Sequence, residues 1–210
     1  MKGELQKCID VGLNHIHVDV FDGVYIDSPH ALTFGPQMVQ AIHRRFPDLK
    51  LDIHLCVDRP TRFIEAMAEA GATRLIFQWE AMGDYQSAVE LAKRANQLGM
   101  KCGVSINLNT NVEEIFPLLN SGFVDLVDVL AVKPGFGGQT FNLTALEKIS
   151  QLREWRDLRS QDKFVILVDG GINKTISKLV IENGADILVA GTALFRHAHG
   201  LMEAVKDLQK

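Results

Sequence analysis

The stretch His15-Ile16-His17-Val18-Asp19-Val20-Phe21-Asp22-Gly23 alternates in the manner of a β-strand. Successive side chains on a strand point to opposite faces, so His17 and Asp19 project together, with His15 one step behind. Asp22-Gly23 turns the chain directly afterwards. An imidazole and a carboxylate aimed the same way at a strand end form half of a metal site; the competing reading is a half-buried strand whose polar residues pair locally. The surroundings of this strand set the fold. A helix-like segment over residues 3–11 precedes it, separated by Gly12, and the same helix–glycine–strand order returns at Gly71, Gly99, Gly122 and Gly184. Glycine just past a helix is the usual left-handed stop, because it alone takes positive φ without steric cost. Strands alternating with helices mean parallel βα units.

Along the chain, helices are expected near 3–11, 37–45, 61–70, 85–98, 112–120, 143–158, 174–182 and 200–208. Strands are expected near 14–20, 51–57, 73–79, 101–107, 124–132, 164–169 and 186–190. Eight helices and seven strands point to an α/β (β/α)8 TIM barrel that lacks its first β-strand, at the N-terminus, where the chain opens with a helix. A doubly wound open sheet needs a crossover reversal and a glycine-rich first turn, and the sequence has neither. No linker or low-complexity segment divides residues 1–210, so one domain is expected.

Composition narrows the class. The chain is 47% hydrophobic and 23% charged, the profile of a globular protein. A net charge of −4 gives no basic footprint for nucleic acid, and no apolar run approaches the roughly 20 residues that span a bilayer. Met1-Lys2-Gly3-Glu4 lacks the apolar core of a signal peptide. Cys8, Cys56 and Cys102 are scattered, with no paired spacing, and read as reduced thiols of a cytoplasmic protein.

In a barrel the chemistry gathers where strands end and βα loops begin. The second strand places Asp52, His54 and Cys56 on one face; the third ends at Glu80; the fourth brings Ser105 and Asn107, polar groups suited to holding a substrate. Lys133-Pro134-Gly135-Phe136-Gly137-Gly138-Gln139 packs three glycines into four residues after a strand, which lets backbone N–H groups approach an anion. Val168-Asp169-Gly170-Gly171-Ile172-Asn173 ends the next strand and feeds a helix near Lys174, whose N-terminus is expected to favour phosphate. Ala190-Gly191-Thr192-Ala193 makes another small-residue turn. A phosphate site built by the last two βα loops recurs in barrels, so a phosphorylated small molecule is the expected substrate. His17, Asp19, His54 and Asp169 then stand at three strand ends as candidate ligands for Zn, Mn, Fe or Co.

Taken together, the segments His17–Gly23, Asp52–Leu55, Val132–Gln139, Val168–Asn173 and Ala190–Phe195 resemble the ribulose-phosphate 3-epimerase family, in that family's order and over nearly the whole chain. The resemblance implies a (β/α)8 barrel that interconverts D-ribulose 5-phosphate and D-xylulose 5-phosphate with one divalent metal (Zn, Fe, Mn or Co). It makes His17, Asp19, His54 and Asp169 the metal ligands and Asp19 and Asp169 the acid/base pair. His54, Gly135, Phe136, Gly137, Gly138, Gly170, Gly171, Gly191 and Thr192 become substrate or phosphate contacts. Epimerising a carbon beside a carbonyl removes a proton and returns one to the opposite face, which suits two carboxylates; the metal stabilises the enediolate as a Lewis acid. The resemblance also implies a homo-oligomer.

Several positions depart from the family pattern. Phe21, Cys56 and Leu130 stand where methionines line the family's site, Lys133, Gln78 and Leu108 differ from the usual residues, and the loop Val24–Thr33 is unlike its counterpart. The family's first strand, with a substrate-contacting serine, has no counterpart here. The altered rim keeps open an epimerase for another ketose phosphate, such as allulose 6-phosphate. The missing strand keeps open an inactive sugar-phosphate-binding homologue with exposed strand edges.

Overall fold

The computed structural model describes residues 2–159 and 164–209. Seven strands form one sheet in chain order with every neighbouring pair parallel: β1 (His15–Phe21), β2 (Lys50–Cys56), β3 (Arg74–Gln78), β4 (Lys101–Ile106), β5 (Leu126–Leu130), β6 (Val165–Asp169) and β7 (Ile187–Val189). Helices alternate with them: α1 (Lys2–Asp10), α2 (Pro36–Arg45), α3 (Ile64–Glu69), α4 (Tyr85–Gln97), α5 (Phe116–Asn120), α6 (Ala145–Asp157), α7 (Lys174–Asn183), α8 (Thr192–Phe195) and α9 (Leu201–Leu208). The sheet curls into a nearly closed barrel. β1 and β7 are its two ends; among the described residues they do not pair, and a groove of about 650 Å³ runs between them.

Strand parity sorts the side chains into two cores. Leu51, Ile53 and Leu55 of β2 and Val127 and Val129 of β5 face outward into the layer shared with the helices, where Val39, Met67, Leu91, Ile149 and Val180 meet them. Each such aliphatic side chain contributes roughly 1.5–3 kcal/mol by leaving water. Ile76, Leu126 and Leu167 point inward instead and plug the barrel. Above this plug the inward positions turn polar: His54, Gln78, Ser105 and Asp128, all buried.

The lower end of the barrel is held by charge. Arg74 Nη1 donates to Asp52 at 3.0 Å and its Nε to Asp125 at 3.1 Å, tying the start of β3 to β2 and to the residue before β5. His15 Nε2 lies 3.1 Å from Asp52 and Lys101 Nζ 3.3 Å from Asp125. Thus His15 and Asp52, although on the same strand faces as His17 and His54, serve this lower network and not the upper end.

The five glycines read as helix stops all have positive φ, from 74° to 117°. Two expected helices are shorter than the sequence suggests, because each opens with a 3-10 turn (Pro60–Phe63 and Val112–Ile115) before α3 and α5 begin. Proline at the start of the first turn and at the second position of α5 fixes φ and removes an N–H donor there. Leu126–Leu130 is likewise shorter than the expected strand over 124–132.

Candidate active site

β1 and β2 run in register with Asp19 beside His54 and Phe21 beside Cys56. This puts His17, Asp19 and His54 on adjacent inward positions at the upper end. His54 Nδ1 lies 3.1 Å from Asp19 Oδ1 and 3.4 Å from His17 Nε2, and His17 Nε2 lies 3.3 Å from the same Asp19 oxygen. Asp169, the last residue of β6, completes the group: one donor atom from each of the four side chains falls within 4.8 Å of the others. The four residues expected to act together are therefore brought together. Two imidazole nitrogens and two carboxylate oxygens at this mutual spacing fit a borderline divalent cation.

The carboxylates sit in opposed environments. Burial would raise Asp19, but hydrogen bonding with His17 and His54 outweighs it and holds the carboxyl well below the usual range. Asp169 is pushed up to about 7, chiefly by burial, with the neighbouring Asp128 and Asp19 charges adding to the rise and His17 opposing it. Burial alone would lower His54; Cys56 and Asp19 beside it raise it well above the ordinary imidazole value.

The loop after β1 fixes the strand end. Asp22 accepts from the backbone N–H groups of Val24, Tyr25 and Asp58 at 2.9, 3.0 and 2.9 Å, linking the first two βα loops. Thr33 Oγ1 donates to the Asp19 carbonyl and accepts from Phe21 N–H, each at 2.9 Å, so the loop folds back over Asp19. Phe21 and Cys56 pack with Ala31, Tyr25 and Ile26 into an apolar wall, and Leu130 lines the same pocket. Phe21, Cys56 and Leu130, read as departures from the resembled pattern, thus form apolar surface of one pocket.

Opposite this wall stands the glycine-rich loop. Gln139 Nε2 donates to the carbonyls of Lys133 and Phe136, both at 2.7 Å, and sets the loop's shape. The pocket is lined by Asp19, His54 and Asp169 together with residues 133–139, Gly170 and Gly171. At Gly171 φ is +69° and a Cβ would lie 2.4 Å from the Phe141 nitrogen, so only glycine lets the loop after β6 pass there. Gly191 and Thr192 line the adjoining groove with Gly138, Gly170 and Gly171. One expectation is corrected: the N-terminus of α7 is not free for an anion, because Asn173 Oδ1 accepts from Thr175 and Ile176 N–H at 3.0 and 3.1 Å. The anion reading therefore moves to the glycine backbone and the turn at Gly191-Thr192.

Glu80, Ser105 and Asn107 take supporting positions. Glu80 Oε1 accepts from Asn107 N–H at 2.8 Å and from the Thr110 hydroxyl, anchoring the loop after β4. Asn107 Nδ2 donates to the Tyr25 hydroxyl at 3.0 Å, and Gln78 Nε2 to Asn107 Oδ1 at 3.4 Å. Ser105 is fully buried below them. The sequence reading passed over Asp128, whose carboxylate lies 3.7 Å from His54 Nδ1. Its signal was a lone charge inside Leu126-Val127-Asp128-Val129-Leu130, at inward parity.

Comparison with known proteins follows the same lines. The model of the Ribulose-phosphate 3 epimerase family matches residues 1–195. Ribulose-phosphate 3-epimerase of Bacillus subtilis (strain 168) is 40% identical over 184 residues, 88% of this chain and 81% of the relative. Ribulose-5-phosphate-3-epimerase, chloroplastic, of Arabidopsis thaliana is 37% identical over 99% of this chain and 71% of its own length. Among solved structures, 3-keto-L-gulonate-6-phosphate decarboxylase from Vibrio cholerae superposes with a TM-score of 0.69 at 17% identity, over 99% of this chain and 92% of that one. A 3-hexulose-6-phosphate synthase gives 0.67 at 17% identity, with the same coverage. At that identity the two structures share the barrel and speak to nothing more. No helix among the described residues is long and apolar enough to cross a membrane.

Proposed function

Because the chain belongs to the ribulose-phosphate 3-epimerase family of isomerases, we propose that it interconverts D-ribulose 5-phosphate and D-xylulose 5-phosphate at C3, with Asp19 and Asp169 as the acid/base pair. The observation that carries this reading is the convergence of two carboxylates and two imidazoles at the upper end of the barrel, with the carboxylates pushed to opposite sides of their ordinary range. Groups whose environments separate their proton affinities in this way divide into a base and an acid. Asp19, held ionised by His17 and His54, takes the C3 proton from one face. Asp169, whose carboxyl burial pushes up to about 7, exchanges a proton at the other face. In the reverse direction the two exchange roles.

His17, Asp19, His54 and Asp169 would together hold one divalent cation, whose chemistry when bound is Lewis acidity toward the substrate oxygens that gather charge as the C–H bond breaks. Among the described residues His17 Nδ1 has no hydrogen-bond partner, and Nε2 is the nitrogen directed into the cluster. The glycine loop at 135–138, Gly170, Gly171, Gly191 and Thr192 bind the phosphate through backbone N–H groups and one hydroxyl. The apolar wall of Phe21, Cys56 and Leu130 covers the reacting carbons and keeps bulk water from the exposed carbanion face.

Phe21, packed tightly against Cys56 and Ala31, limits the room at the end remote from the phosphate and favours a five-carbon sugar over a six-carbon one. A panel of ribulose 5-phosphate, allulose 6-phosphate and unphosphorylated ribulose, assayed under one set of conditions, tests this. The pentose phosphate should give the highest kcat/KM and the free sugar almost none. A hexose phosphate turned over while the pentose phosphate is not would overturn the assignment.

A further inference from the structure

Asp128 occupies the centre of β5 and is fully buried. Its side chain points into the barrel between Leu126, part of the apolar plug, and Leu130, part of the pocket wall, because residues two apart on a strand share a face. Neither carboxylate oxygen has a hydrogen-bond partner among the described residues. No lysine or arginine forms an ion pair with it among those residues; His17 and Asp19 act on it through charge, and the ion-pair contact it makes there is to His54, with Oδ2 lying 3.7 Å from Nδ1. That nitrogen is the one that also faces Asp19 Oδ1 and His17 Nε2. Ser105 stands beside Asp128 in the β4–β5 register, buried, and its hydroxyl favours the ionised form of that carboxylate.

Burial pushes the Asp128 carboxyl up, with His54 and His17 opposing; its ionised form is costly in an apolar interior and is held only where something positive balances it. With the plug beneath it and Leu130 above, the positive charge within reach of Asp128 is whatever the four-residue cluster holds. We propose that Asp128 is the buried counter-charge of that cluster: a positioning residue that holds the His54 imidazole in line and raises the cluster's affinity for a divalent cation. The inference rests on the metal reading of the site given above. It adds a fifth side chain, set by the centre of β5 beside His54 and off the phosphate loops. Groups behind metal ligands act in this way, orienting them and tuning the affinity of the set.

The test uses the full chain stripped with a chelator and titrated calorimetrically with Mn2+. Asp128→Asn keeps the shape and removes the charge. The Mn2+ Kd should rise about tenfold or more, in the range seen when such outer partners are changed elsewhere. The stripped variant should melt no lower than the stripped wild type, because the unpaired buried charge has gone. A residue that merely fills space would give the opposite pattern: a lower melting temperature and an unchanged Kd. Asp128→Leu, which extends the apolar plug, serves if the amide variant fails to fold, and the same rise in Kd is expected of it. A variant that binds Mn2+ within about twofold of wild type overturns the role of Asp128 while leaving the metal reading intact. Wild-type protein that binds no Mn2+, Zn2+ or Co2+ overturns both at once.

Discussion

Replacing Arg74 by methionine removes the cation that bridges Asp52 and Asp125 at the lower end of the barrel. The side chain is 7% exposed and reaches Asp52 at 3.0 Å, itself 4% exposed, and Asp125 at 3.1 Å. Deleting one partner of a buried pair costs about 3–5 kcal/mol, because the other charge is left without compensation. The two carboxylates do not share that cost equally. Asp125 is 32% exposed and keeps Lys101 at 3.3 Å, so solvent and lysine take up much of its charge. Asp52 retains only His15, at 3.1 Å. The expected loss therefore lies at the lower end, about 3 kcal/mol, which for a chain of this size lowers Tm by about 6–12 °C. Thermal unfolding followed by circular dichroism measures it. Adding Asp52→Asn to the Arg74→Met variant should recover about half of the loss, since the stranded charge is the main expense. Activity at a temperature where the variant stays folded should be nearly unchanged, because the network lies at the opposite end of the strands from the pocket. A Tm within about 2 °C of wild type would refute the view that this ion network holds the barrel's lower end.

Gly171→Ala forces a Cβ to within 2.4 Å of the Phe141 nitrogen at a φ of +69°, so the backbone of the loop after β6 must shift; the KM for ribulose 5-phosphate should rise about tenfold with a smaller change in kcat, and an unchanged KM would show that this loop does not hold the phosphate. Asp169→Asn removes the proton donor and one candidate ligand; kcat should fall by about 10² to 10⁴ with circular dichroism unchanged, and a variant that keeps a tenth of the activity or more would remove Asp169 from the acid/base pair.

The fold was legible because its signals are local. Glycines at 12, 71, 99, 122 and 184 end helices by a backbone requirement that belongs to one residue, and apolar runs such as Phe164–Val168 announce buried parallel strands. The gathering of His17, Asp19, His54 and Asp169 was legible for a mixed reason: strand-end position pointed to each residue, and the family resemblance joined them. What escaped depends on packing between distant segments. Asp128 reads as an oddity in an apolar strand until the closing of the barrel brings its carboxylate within 3.7 Å of His54. Arg74 and Asp125 are 51 residues apart, and no periodicity predicts that Arg74 is held between Asp125 and Asp52. The capped N-terminus of α7 was a misreading of a different kind: Asn173 is itself a strong N-cap, and a first turn satisfied by its own side chain has fewer donors left for phosphate.

Deuterium entry at C3 of ribulose 5-phosphate, followed by NMR in D2O with and without a chelator, tests the central claim most directly. Two carboxylates working beside one bound cation predict rapid exchange at C3 that the chelator abolishes and an added divalent metal restores. Exchange that persists undiminished after the metal is stripped would contradict the account, as would a metal-loaded protein that leaves the C3 proton in place.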